Sequence, residues 1–117
     1  MINYDDLPAC PVQTCLSFIS DKWKILIIRD LLDGTKRFNE LKKSLAPITQ
    51  KMLTQQLREM ESDGIVNRKV YPVVPPKVEY SLTDLGKSLK HVIEVMKKWG
   101  EDLKTQLNKK DELMYHW

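Results

Sequence analysis

The dipeptide Ala46-Pro47 cannot continue a helix, yet a helical pattern stands close on either side of it. Upstream, the chain reads as a short helix from about Asn39 to Leu45. Downstream, Thr49 has the side chain of an N-cap for a helix reaching Asp63, and Gly64 stops it. The segment from about 39 to 63 is therefore helix, tight turn, helix. Beyond Gly64 the period changes. Val66, Arg68 and Val70 alternate with Asn67, Lys69 and Tyr71, and Val78, Tyr80 and Leu82 alternate with Glu79 and Ser81, the period of two that marks strands. Between them Pro72-Val73-Val74-Pro75-Pro76-Lys77 makes a stiff, exposed tip, so residues 66–82 form a hairpin.

The flanks are helical. Pro8 and Pro11 punctuate the start, and Val12, Cys15, Leu16 and Ile19 repeat at i, i+3, i+4, i+7, the stripe of a short helix. Ser20 and Asp21 can cap a second helix, about Lys22 to Leu32, which is apolar on nearly all sides and so reads as the most buried element. Asp33-Gly34 ends it, and Thr35 to Phe38 is a short extended piece. The last element opens at Thr83-Asp84 and runs to about Asn108, with Leu85, Leu89, Val92, Met96, Trp99, Leu103 and Leu107 on its stripe. Gly86 and Gly100 weaken it without ending it. About 25 helical residues span roughly 35 Å, more than a small domain needs to cover its own core, so the surplus apolar surface points to a dimer partner. The fold class is mainly α with a small β-hairpin, in one domain covering 1–117.

Charge sharpens the functional question. The whole chain carries a net charge of only +3, but between Lys36 and Lys77 nine Lys or Arg stand against four acids, a local +5 that leaves the ends at −2. A basic middle between neutral or acidic ends fits a module that binds a polyanion and dimerises through its termini. The longest apolar run, Ile25 to Ile28, is too short for a membrane span, and the acidic start Met1 to Asp6 has no basic leader, so the expected location is the cytoplasm. Enzyme chemistry finds little material. The imidazoles, His91 and His116, stand near no nucleophile or carboxylate motif, and His91 reads as a packing residue beside the final stripe. The four glycines form no phosphate loop, and the scattered Cys and His give no metal site, so neither cofactor nor metal is expected.

On the helix from Thr49 to Asp63, Leu53, Leu57 and Met60 share one face, while Lys51, Thr54, Gln55 and Arg58 face the other way, with Gln50 at the leading end. Arg and Lys match guanine edges and phosphates, Gln matches adenine, and Thr meets a thymine methyl or a phosphate. An isolated amphipathic helix with that face would be an ordinary solvated element. Here it follows a tight turn after another helix, as the second helix of a helix-turn-helix does, and precedes a hairpin bearing Arg68, Lys69 and Lys77. The hairpin's apolar face, Val66, Val70, Val78, Tyr80 and Leu82, belongs to the core. Its charges are then free for phosphates, as are Arg37, Asn39 and Lys42 at the start of the preceding helix.

These residues also carry a resemblance. Cys10-Pro11-Val12, Lys22-Trp23, Arg37-Phe38-Asn39-Glu40-Leu41, Leu53-Thr54-Gln55-Gln56-Leu57-Arg58, Asp63-Gly64-Ile65-Val66, Pro75-Pro76-Lys77-Val78-Glu79-Tyr80-Ser81-Leu82-Thr83-Asp84-Leu85-Gly86 and Trp99-Gly100 occur in the order and spacing of the HxlR-type winged-helix transcriptional regulators. The chain resembles that family over about residues 10–100. The resemblance implies a winged helix-turn-helix with added N- and C-terminal helices, which join a homodimer on double-stranded operator DNA with paired half-sites. Ser20-Asp21 departs from the family, which usually has glycine there.

Cys10 has two readings. Pro11 at the first helical position would make Cys10 the N-cap, where the helix dipole and free N–H groups favour a thiolate that oxidises readily. The resemblance implies the same, since some family members sense oxidants or electrophiles through a cysteine at this position. Otherwise Cys10 is a small, buried, inert residue. Cys15, on the apolar stripe, reads as core; the two cysteines are too few and too close for a disulfide framework. Two other functions compete with a redox-responsive regulator: a winged helix used only for protein contacts, and a ligand-responsive regulator without a cysteine switch, its effector unidentified.

Overall fold

The computed structural model describes residues 2–108, so His116 lies outside the described residues. After a single 3-10 turn, Tyr4–Asp6, come α1 (Pro11–Ile19), α2 (Lys22–Leu31), β1 (Lys36–Arg37), α3 (Phe38–Ser44), α4 (Gln50–Ser62), β2 (Val66–Tyr71), β3 (Lys77–Leu82), α5 (Asp84–Lys87) and α6 (Lys90–Asn108). The arrangement is mostly helical, with a small antiparallel sheet. No helix among the described residues is long and apolar enough to cross a membrane.

α2 begins where Asp21 Oδ1 accepts the backbone N–H groups of Trp23 and Lys24, at 3.0 and 3.1 Å, so the cap is Asp21 and not Ser20. Its Ile27, Ile28 and Leu31 are buried against α3, α4 and β3, which makes α2 the central helix that its composition predicts. α4 starts at Thr49, whose hydroxyl oxygen accepts the Met52 N–H at 3.1 Å, and it buries Leu53, Leu57 and Met60 in the same core. It ends at Gly64, whose φ of +81° lies in the left-handed region that favours glycine.

Three expectations need correction. First, the extended piece before α3 is a strand: β1 pairs antiparallel with β3, Lys36 opposite Tyr80 and Arg37 opposite Glu79, giving a three-stranded sheet in the order β1-β3-β2. Two residues are too few for a period to show in sequence. Second, Val70 is not core but half exposed, because the hairpin runs out beyond the body of the protein; only its base, Val66 and Leu82, together with Tyr80 is buried. Third, the final element is not continuous, since a turn at Ser88 and Leu89 separates α5 from α6.

That turn has a packing cause. The Thr83 hydroxyl donates to Gly64 O at 2.6 Å and accepts the Gly86 N–H at 3.0 Å, and the Thr83 N–H donates to Ile65 O at 3.0 Å. Gly86 is buried so tightly there that a Cβ would stand 2.4 Å from Ile65 O. α5 is thus fixed to the base of the hairpin, and the chain leaves it through a three-residue bond from Leu89 N–H to Gly86 O (3.2 Å). α6 then lays Ile93 against the core but buries no residue completely. Its Val95, Met96, Trp99 and Leu107 are exposed, as are Val12 and Leu16 of α1. His91 is also exposed, which removes the packing role predicted for it.

Candidate nucleic-acid interface

With Leu53, Leu57 and Met60 drawn into the core, α4 turns Gln50, Lys51, Thr54, Gln55 and Arg58 outward along one open groove, bordered by Glu59. A second groove of about 500 Å³ separates α4 from the sheet. Gln50, Thr54 and Arg58 line it from the helix and Arg68 from β2, over a floor that includes Phe38, Val78 and Tyr80, with Glu61 at its edge. Arg58 borders both grooves, and among the described residues it makes no ion pair. The five residues predicted on α4 are therefore brought together on one surface.

The hairpin charges divide. Arg68 stands opposite Tyr80 on the face that looks toward α4, whereas Lys69 and Lys77, one residue out of phase with it, belong to the other face with Tyr71 and Glu79. Strand parity thus places the three hairpin cations on two faces of the sheet. On that far face the ammonium groups of Lys69 and Lys77 lie 4.9 and 4.8 Å from the centre of the Tyr71 ring, and Lys77 is 3.7 Å from Glu79. The Tyr71 hydroxyl is the main cause holding the Glu79 carboxyl below its ordinary range; burial opposes it, and the charges of Lys77 and Arg37 add to the lowering. Sequence reading missed Tyr71 and Glu79. Their register positions opposite Lys77 and Lys69 become meaningful only once the strands are paired.

Arg37 and Asn39 are exposed at the start of α3, whereas Lys42, also exposed, lies in its last turn and not near the start where the sequence reading put it; none of the three borders a groove that α4 lines. Arg37 is the residue before α3, and its backbone N–H donates to the Glu40 carboxylate at 2.9 Å. Its side chain is on the sheet face of Glu79.

A second group escaped the sequence reading because its members come from different helices. Lys24, buried on α2, donates from Nζ to Glu59 Oε2 on α4 at 2.7 Å and to Asp21 Oδ2 at 3.4 Å. Glu59 Oε1 in turn accepts from Gln55 Nε2 at 3.4 Å. The Lys24 hydrogen bond is the main cause holding the Glu59 carboxyl below its ordinary range; burial opposes it. At the far end of α4, the backbone N–H of Ile2 donates to Asp63 Oδ1 (2.8 Å) and the Tyr4 hydroxyl to Asp63 O (2.6 Å), while the Tyr4 ring packs on Phe18. Ile2 and Tyr4, upstream of Cys10, are therefore tied to the C-terminal end of α4.

Cys10 is the N-cap residue of α1, with Pro11 in the first turn, and its side chain makes no capping bond. The thiol is exposed, which removes the reading of Cys10 as a buried inert residue; Cys15 is half-buried. Among the described residues no group of three or more His, Cys, Asp or Glu is placed to hold a metal ion.

Known proteins share this arrangement. The HTH-type transcriptional regulator YdeP of Bacillus subtilis is 54% identical over 105 residues, 90% of this chain and 82% of its own. The redox regulator HypR in its reduced form is 50% identical, with a TM-score of 0.79 over 86% of this chain and 99% of that one. Its oxidized form is 54% identical, with a TM-score of 0.76 over 80% and 96%. The profile of the HxlR-like helix-turn-helix family matches residues 18–108, the whole span from the end of α1 to the end of α6. The chain belongs to the HxlR-like helix-turn-helix family.

Proposed function

We propose that the protein is a transcriptional regulator that acts in the cytoplasm as a homodimer on an operator with paired half-sites, each protomer laying α4 in a major groove. The observation that carries this reading is the outward face of α4, where Gln50, Lys51, Thr54, Gln55 and Arg58 border an open groove and take no part in the core. The groove between α4 and Arg68 follows the helix on the sheet side, and Lys69 and Lys77 supply cations for flanking phosphates. Nothing in this scheme requires enzymatic chemistry. Dimerisation uses the exposed apolar residues Val12 and Leu16 of α1 with Val95, Met96, Trp99 and Leu107 of α6, surface that a monomer would leave in water.

Binding to the DNA upstream of its own reading frame, measured at several salt concentrations, tests the core of the proposal. Counterion release requires log K to fall linearly with log salt, by about 0.9 per phosphate contacted. No binding at low salt would overturn it, and leave a winged helix used for protein contacts.

A redox response through Cys10 is favoured by a separate observation. The thiol is exposed at a helix N-cap, in the segment between Tyr4, whose hydroxyl donates to Asp63 O at the end of α4, and Phe18, on which the Tyr4 ring packs, and the chain is similar to the redox regulator HypR. Oxidation or alkylation of Cys10 changes the volume and charge of that segment and so acts on α4. Treating the protein with diamide or a quinone should alter operator affinity in the wild type and leave Cys10→Ser unaffected. An equal response in both would remove the switch from Cys10.

A further inference from the structure

We infer that Glu59, anchored by Lys24, is a positioning residue that presents the Gln55 side chain for recognition of an adenine. This rests on the reading of α4 as the DNA-reading helix. An acid on such a helix calls for a reason, because a carboxylate beside phosphates is repelled. Glu59 borders the same open groove as Lys51, Gln55 and Arg58, so its charge lies on the reading surface. Its partner explains how it is tolerated: the Lys24 ammonium, almost wholly buried on α2, lies 2.7 Å from Oε2 and compensates that charge.

The pairing has a chemical consequence for Gln55. A carboxylate held by an ammonium is ionised and only accepts hydrogen bonds. Oε2 is committed to Lys24, and Oε1 faces Gln55 Nε2, one helical turn earlier, at 3.4 Å. The Gln55 amide must therefore turn its NH2 toward Glu59, since the flipped amide would set oxygen against oxygen. Giving one N–H to Glu59 leaves the other N–H and the carbonyl oxygen free. That donor–acceptor pair matches adenine, whose major-groove edge offers N7 as acceptor and the N6 amino group as donor. Guanine offers two acceptors, so it leaves the fixed carbonyl oxygen opposed. Without Glu59 the amide turns freely and the choice is lost. Lys24 in turn is held by Asp21, 3.4 Å away, whose other oxygen caps α2, so the amide is oriented from the centre of the fold.

Selection from a randomised duplex pool, run in parallel on wild type, Gln55→Ala and Glu59→Gln, tests this. Wild type should select adenine at one position of each half-site, and Gln55→Ala should lose that preference. In Glu59→Gln the adenine preference at that one position should fall about tenfold, read as the ratio of adenine to guanine duplexes selected. Neutral-pH circular dichroism checks that the variants are folded. Should Glu59→Gln fail to fold, the wild-type protein alone still decides. In its NMR spectrum the Gln55 side-chain amide resonances should move as Glu59 protonates at acid pH, faced by Lys24 with Asp21 beyond it, whereas those of Gln50 should not. A wild type that binds DNA while Glu59→Gln keeps the same base preference overturns the role of Glu59 and leaves the DNA-binding reading intact. Gln55 amide resonances blind to the titration of Glu59 do the same. A wild type that selects no sequence and binds nothing at low salt overturns both.

Discussion

Arg58 stands where two grooves meet, one running along α4 and the other between α4 and the sheet, and among the described residues no acid pairs with it. A guanidinium so placed offers its two-pronged donor edge to a guanine. Lys69 has a different setting, stacked over Tyr71 on the far face of the hairpin. The two cations should therefore fail differently. Arg58→Ala should weaken binding to the selected operator by about 1–3 kcal/mol and relax the base requirement at one position, whereas Lys69→Ala should weaken all duplexes by a similar factor. Competition titrations with operator and scrambled duplexes separate the cases, and a uniform loss for Arg58→Ala would make it a phosphate contact. The α4 residues were legible in the sequence because a 3.6-residue period alone sorts Leu53, Leu57 and Met60 from Lys51, Thr54, Gln55 and Arg58. The contacts of Glu59 with Lys24 and of Tyr71 with Lys77 were not legible, since other elements bring those partners to them.

Among the elements, α5 is the joint. It is a single turn, held by Thr83 to the carbonyls of Gly64 and Ile65 and by the close approach of Gly86 to Ile65 O. Those carbonyls lie just past the end of α4, so α5 fixes the hairpin base and the end of α4 together. Gly86→Ala would gain the higher helix propensity of alanine, under about 1 kcal/mol, but must displace backbone to relieve a 2.4 Å contact. Overpacking of this kind costs about 1–3 kcal/mol, so the variant should be less stable in urea unfolding. An unchanged or raised midpoint would show that α5 moves freely from the hairpin. From sequence, Gly86 reads only as a weak point in a long stripe. Its real constraint is a carbonyl 21 residues away in the chain, which no local pattern contains.

At the scale of the molecule, apolar surface is left over at both ends. α6 is 19 residues long and buries none of them completely, with Trp99 65% exposed, and α1 exposes Val12 at 67%. A chain that buries its core this well elsewhere, with Ile27, Ile28, Leu41 and Leu53 at 0%, has no stability reason to leave a tryptophan in water. The dimer proposed here supplies the missing cover. Trp99→Glu should convert the dimer to a monomer in sedimentation experiments while the core remains folded, and operator affinity should fall with the loss of the second half-site. A variant that sediments like wild type would move the interface away from α6.

Periodicity and punctuation in the sequence were sufficient for α1 to α4, the hairpin, the break at Ala46-Pro47 and the outward face of α4, because each depends on residues within a turn or a strand of one another. Pairing decided the rest. The partnership of β1 with β3, the gathering of Lys69 and Lys77 on one face with Tyr71 and Glu79, the close approach of Gly86 to Ile65 O beside the turn that separates α5 from α6, and the Lys24–Glu59 bond between α2 and α4 all join residues of different elements. Cys10 shows the boundary most simply: its place at a helix start is local and was readable, but its exposure, and the tie of Ile2 and Tyr4 upstream of it to Asp63, arise only when the N-terminus packs beside the end of α4.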